Sequence, residues 1–159
     1  MHKVLAIDLG TQLGWALGDS EDKTTICLRA VCASGTISFK NGRYEGGGMR
    51  FLRFRRWLQE IHELQHINEV VFEEVRRHLS TDSAHVYGGF LSHLTSWCEE
   101  SDIPYIGVPV QKIKIFATGK GNAKKDAVIE SVKQRGFNPA DDNEADALAL
   151  LLCRLSGAV

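Results

Sequence analysis

An α/β fold is predicted for this 159-residue chain by three features of its pattern. Short apolar runs of strand length open the sequence, the hydrophobic period lengthens to that of a helix at Met49, and strand-like and helix-like segments then alternate to the C-terminus. Residues 3–8 read as a buried strand, short and apolar, stopped by Leu9-Gly10-Thr11. Residues 14–18 fit a second strand after a tight connection, and the polar residues 19–25 a turn or loop. Two further β segments are expected around residues 25–32 and 35–39, then a glycine-rich loop over residues 41–48.

From Met49, Phe51, Phe54, Leu58, Ile61 and Leu64 recur at three- and four-residue spacing, the stripe of an amphipathic helix. Residues 69–73 return to strand. Ser80-Thr81-Asp82-Ser83 offers N-caps for a helix to about Glu99, with Val86, Phe90, Leu94 and Trp97 on one face. Gly88-Gly89 inside it costs roughly 1 kcal/mol per glycine against alanine and predicts close packing, against a partner helix among the candidates. Ile103 to Val108 reads as another strand and residues 123–135 as a helix ended by Gly136. A last helix is expected from Asp142, its predicted cap, to about Leu155, with Asp141 left in the preceding loop.

Length and composition, with 43% hydrophobic and 25% charged residues, fit one globular domain over residues 1–159. A net charge of -1 excludes a uniformly basic surface, so any nucleic acid must be held by local patches. The four cysteines, Cys27, Cys32, Cys98 and Cys153, form no CxxC pair, which argues against a structural zinc site and a disulfide framework. The N-terminus is too short before its first acid for a signal peptide, and no apolar run is long enough to span a membrane. A soluble, cytoplasmic protein is the expectation.

Three acidic stations carry the chemistry. Asp8 ends one apolar run, Glu73 ends Val70-Val71-Phe72, and Asp142 and Asp146 stand four apart at the head of the C-terminal apolar segment. Taken singly, Asp8 can initiate a turn, Glu73 can be a solvated strand end, and Asp142 can cap a helix. Asp146 is the sharpest, because it sits on the apolar side of its helix, where an unpaired carboxylate is penalised. Converging carboxylates repel, and a hard divalent cation is the usual remedy. Two magnesium ions about 3.5–4 Å apart would suit a phosphoryl-transfer site. Asn143 and Glu144 are further oxygen donors in the same turn.

With these residues in view, the chain resembles the RuvC family of Holliday-junction resolvases. The resemblance rests on Ala6-Ile7-Asp8-Leu9-Gly10, on Val71-Phe72-Glu73-Glu74-Val75, on Gly119-Lys120-Gly121-Asn122-Ala123-Lys124-Lys125 and on Asp142-Asn143-Glu144-Ala145-Asp146-Ala147-Leu148-Ala149. It implies an RNase H-like fold, a mixed five-stranded sheet flanked by helices. It also implies that Asp8, Glu73 and Asp146 are catalytic ligands of magnesium, with manganese as substitute. Glu73 rather than Glu74 aligns with the family's strand-end glutamate. Bacterial members carry the fourth acid three residues before the last aspartate, where this chain has Asn143. Mitochondrial-type members space the pair by four, which selects Asp142. After Glu73, bacterial members often place an aromatic that probes the junction, whereas this chain has Val75-Arg76-Arg77-His78. A compact chain of this kind is similar to phage or prophage resolvases.

The resemblance implies branched DNA as the partner and a homodimer cutting symmetrically related strands. Tyr87, Leu91 and Cys98, beside the Phe90 stripe, are the apolar residues a dimer interface could use or a monomer could bury. Candidate DNA contacts are Arg76, Arg77, Lys112, Lys114, Lys120, Asn122, Lys124 and Lys125. The loop over residues 118–122 leads into a helix N-terminus able to receive a phosphate, and either Lys124 or Lys125 could neutralise charge near the metals. Arg50, Arg53, Arg55 and Arg56 crowd another helix, as a DNA face or as a solvated one. Two other functions compete. One is a non-catalytic or RuvX-like module of the same fold that binds branched nucleic acid. The other is a sugar kinase of the actin-like fold, suggested by Asp8-Leu9-Gly10-Thr11 but needing a second domain.

Overall fold

The structure, a computed structural model, describes residues 1–20 and 30–159. Strands β1 (Lys3–Asp8), β2 (Gln12–Asp19) and β3 (Val31–Ser38) form an antiparallel meander. Strands β4 (Glu69–Glu74) and β5 (Tyr105–Pro109) then add parallel to β1, giving one sheet in the order β3-β2-β1-β4-β5. The helices are α1 (Met49–Gln65), α2 (Thr81–Glu100), α3 (Val110–Thr118), α4 (Lys125–Gln134) and α5 (Asp142–Leu155).

Alternation along the strands sorts the core into two layers. Leu5 and Ile7 of β1, Leu13 and Leu17 of β2, and Val70 and Phe72 of β4 face α1 and α2, where they meet Phe54, Leu58, Phe90 and Leu94. Val4, Ala6, Ala16 and Val71 face the other way and pack on Ile113, Val128 and the α5 residues Ala147 to Leu151. Parallel pairing sets Ile7 beside Phe72, so the next residues, Asp8 and Glu73, emerge together from the sheet's carboxyl end. Both are in phase with Ala6 and Val71, and so lie on the α5 side.

Several expectations are corrected here. The segments read around residues 25–32 and 35–39 are one strand, β3, where they are described; residues 21–29, with Cys27, lie outside the described residues. Helix α3 was not expected at all. Its stretch follows β5 directly, with Pro109 as N-cap, a position where a fixed φ suits the start of a helix and costs no needed donor. Asp141, not Asp142, caps α5: its carboxylate accepts from the Glu144 N–H at 2.9 Å and from the Thr36 hydroxyl at 2.7 Å. The Gly88-Gly89 pair does mark close packing, but within the chain. A side chain at Gly89 would strike the Phe51 ring of α1 at 2.4 Å, while Gly88 faces open space. Tyr87 and Cys98 are buried in this chain's own core, and Leu91, partly buried, packs against it.

Candidate active site

Each acid arrives on a different element. Asp8 ends β1, Glu73 lies near the end of β4, and Asp146 projects from the second turn of α5 across that edge. Asp8, Glu73 and Asp146 each bring a carboxylate oxygen within 4.8 Å of the others. The helix reaches this position because β2 carries no side chain beneath it. A Cβ at Gly14 would lie 1.9 Å from the Asn143 carbonyl oxygen, so only glycine lets the first turn of α5 rest on the sheet. Asn143 therefore contributes backbone packing. Glu144 is likewise engaged: its carboxylate accepts from the Ser34 hydroxyl at 2.7 Å and from the Ala140 N–H at 2.7 Å.

The strand end holding Glu73 is fixed by a residue the sequence reading assigned to packing alone. The Tyr87 hydroxyl donates to the Glu73 carbonyl at 2.8 Å and accepts from the Val75 N–H at 3.1 Å. One phenol thus satisfies both backbone groups that flank Glu74, where the sheet stops.

The electrostatics follow from burying three acids together. Burial pushes Asp8 well above the usual carboxylate range, and the charges of Glu73, Asp146 and Asp142 push it further. Burial also raises Glu73, although a hydrogen bond from Asp8 and the ammonium groups of Lys114 and Lys125 pull it back. Asp146 is pushed up to about 7, by burial first and then by Glu73 and Asp142. The metal-free site therefore retains protons near neutral pH. Oxygen is the only donor type in the trio, with neither imidazole nor thiolate, which fits a hard divalent cation that would replace those protons.

Asp142 differs from the three. It stands at the rim, outside the trio, and its carboxylate takes a hydrogen bond from the Lys125 ammonium at 2.6 Å, which holds it below the usual range. Of Lys124 and Lys125, only the second is paired with an acid of this group. Lys124 is the exposed N-cap of α4, and Lys125 faces the acids. Lys114 faces them too, from α3. Glu73, Asp146, Lys114 and Lys125, with Val110, Ile113 and Val128, line a cavity of about 150 Å³.

The remaining basic residues are dispersed. Lys112, Lys120 and Asn122 are exposed around α3 and the loop after it; the Lys112 charge is felt at Cys153 of α5. Arg76 and Arg77 are exposed beyond β4, Arg76 3.5 Å from Glu74, and the fully exposed Leu79 follows them. On α1, three of the four arginines are committed internally: Arg50 to the Thr11 hydroxyl, Arg53 to Glu45, and Arg55 to Glu100. Arg56 is exposed. No helix among the described residues is long and apolar enough to cross a membrane.

The sheet order and the acid trio at its carboxyl end define the RNase H-like class, and similarity to known proteins narrows it. No family profile matches the chain. Among curated proteins, it is 27% identical to the crossover junction endodeoxyribonuclease RuvC of a Wolbachia from Brugia malayi, over 98% of this chain and 94% of the relative. Among solved structures, Thermus thermophilus RuvC in complex with a Holliday junction substrate superposes with a TM-score of 0.84 at 23% identity, covering 99% of this chain and 95% of that one. The yeast mitochondrial Holliday junction resolvase follows at a TM-score of 0.69 and 12% identity, over 98% of this chain and 78% of that one. The chain is thus RuvC-like in sequence and RNase H-like in fold.

Proposed function

We propose that this chain is a magnesium-dependent endodeoxyribonuclease that resolves four-way DNA junctions by paired, symmetric nicks. The observation that carries the reading is the convergence of Asp8, Glu73 and Asp146 from two strands and a helix, at a cost in carboxylate burial that bound protons or a cation must offset. It is supported by the relatives' name, crossover junction endodeoxyribonuclease, and by the junction substrate bound in the Thermus structure. The intact trio weighs against a purely binding module of the same fold.

Asp8, Glu73 and Asp146 would hold the metal, with manganese a substitute for magnesium. Bound there, the metal supplies Lewis acidity at the scissile phosphate and lowers the pKa of water at neutral pH. Asp142 completes the rim, where its pairing with Lys125 fixes both side chains. Lys114 and Lys125 line the same cavity as Glu73 and Asp146, positioned to draw a phosphodiester toward the acids and offset its added charge. Lys112, Lys120, Asn122 and Lys124 extend this basic margin, and Arg76 and Arg77 flank the acids beyond β4. Two copies of the chain, acting as a homodimer on one junction in the cytoplasm, would cut two symmetrically related strands.

The test is cleavage of a labelled, immobile four-way junction with magnesium, beside a linear duplex and Asp146→Asn. Paired nicks at the branch point, absent in the variant, are the expected result. Junction binding without cutting at any magnesium or manganese concentration would reduce the protein to a binding module.

A further inference from the structure

The glycine-rich segment after β3 projects from the end of the sheet at which the acids lie. Its two ends are fastened to one residue, Thr11, three positions beyond Asp8. The Phe39 N–H donates to the Thr11 carbonyl at 2.8 Å, and the Arg50 guanidinium donates to the Thr11 hydroxyl at 3.2 Å. Between these anchors the loop is braced from within. The Glu45 carboxylate accepts from the Gly42 N–H at 3.1 Å and from Arg53 at 2.6 Å, while Arg53 also donates to the Lys40 carbonyl at 2.8 Å. The Asn41 side chain accepts from the Arg50 N–H at 3.0 Å.

What this bracing holds outward is unusual for a loop. Tyr44 is 91% exposed, with the Arg43 guanidinium 5.5 Å from its ring centroid. Arg43 has no ion pair among the described residues, and a side chain at Gly46, Gly47 or Gly48 would meet nothing within 4 Å. A large aromatic ring left in water on a braced loop, next to an unpaired guanidinium, matches the chemistry of a nucleobase platform. A ring stacks on any unpaired base and the cation takes the adjoining phosphate. Topology sets the place: β3 ends at the same end of the sheet as β1, so the loop leaves the sheet's carboxyl end, where Asp8 lies, from the strands away from Lys114 and Lys125.

We propose that residues 40–48 form a second DNA-contacting element, in which Tyr44 stacks on a base left unpaired at the branch point and Arg43 contacts the neighbouring phosphate. This rests on the junction-resolving function proposed above and gives it a specificity determinant. DNA would then span the acids from two sides, with phosphate contacts from α3 and α4 and a base contact from this loop. A preference for branched over linear DNA follows, since a fully paired duplex offers Tyr44 no free base face.

Binding of fluorescent four-way junction and matched linear duplex, in EDTA so that nothing is cut, tests this with Tyr44→Ala, Tyr44→Trp and Arg43→Ala. Tyr44→Ala should weaken junction binding about 5- to 150-fold, the span of a lost base–aromatic stack. Its duplex binding and its melting temperature should stay unchanged. Tyr44→Trp should bind the junction at least as well as the original chain. Arg43→Ala should lower the slope of log affinity against log salt by about one. Unchanged junction preference in Tyr44→Ala overturns the inference and leaves the proposed function standing. Failure of the original chain to prefer the junction over duplex overturns the proposed function, and the inference with it.

Discussion

Replacing Asp146 by asparagine should make the metal-free protein more stable at alkaline pH while abolishing any metal-dependent cutting. The carboxyl of Asp146 is pushed up to about 7. A carboxyl raised in the folded state favours folding below its unfolded value and penalises it as pH rises through the folded value. The penalty therefore builds between about pH 4 and pH 7 and is complete above. From an ordinary aspartate near 3.9, at about 1.4 kcal/mol per pH unit, it amounts to about 4 kcal/mol. The partial exposure of the carboxyl makes that an upper figure, and burying a neutral amide returns roughly 1–3 kcal/mol of it. A net gain of about 2 kcal/mol corresponds to a rise in melting temperature of about 4–8 °C for a chain of this size. Thermal melts at pH 8 in EDTA should show that rise, and melts at pH 4.5 should not. Excess magnesium should narrow the difference by stabilising the original protein. A variant no more stable at pH 8, or equally stabilised at both pH values, would refute the account of the site as carboxylates strained by burial and, after it, by one another's charge.

Protons should compete with metal for the same oxygens: at limiting magnesium the cutting rate should rise with pH toward about 7 and level off, and saturating magnesium should move that rise to lower pH in a two-concentration pH–rate series. Asp142→Asn should retain partial activity with a raised magnesium requirement, read from a metal titration, because Asp142 stands outside the trio; Asp8→Asn should have none. Tyr87→Phe loses two hydrogen bonds but keeps its ring, so unfolding in urea should show a loss of about 1–3 kcal/mol, with slower cutting and unchanged junction binding in EDTA. Gly14→Ala should destabilise by at least as much as an overpacked core, about 1–3 kcal/mol, and should cut poorly at magnesium levels that saturate the original chain.

How far the sequence could be read depended on the range of the forces involved. Asp8 and Glu73 were legible because each ends an apolar run, and period-two alternation fixes which face they take. Asp146 was legible because a carboxylate on an apolar helix face is costly. The cap of α5 was misplaced by one residue since Asp141, Asp142 and Asn143 are all good caps in isolation. The bond from Thr36, on a strand over a hundred residues away in sequence, adds to the local capping bond at Asp141 and is invisible to local pattern. Helix α3 went unread because Pro109 and the lysines at 112 and 114 masked a short amphipathic turn. Tyr87 looked like core because its ring is core; its hydroxyl's partners lie on a strand that local pattern cannot place. The arginines of α1 read as a DNA face or as a solvated one, and the hydroxyl and carboxylate partners of Arg50 and Arg55 lie far along the chain, where local pattern cannot place them.

The bare position at Gly14 has a bearing on how such a site can change over time. The gap between α5 and the sheet is set there by missing atoms, so the distance from Asp146 to Asp8 is inherited from a residue that bears no functional group. A lineage could lose or retune its chemistry with every acid still in place, simply by thickening that floor. Screens for inactive descendants that inspect only the carboxylates would miss such chains; the informative column is the one occupied by hydrogen.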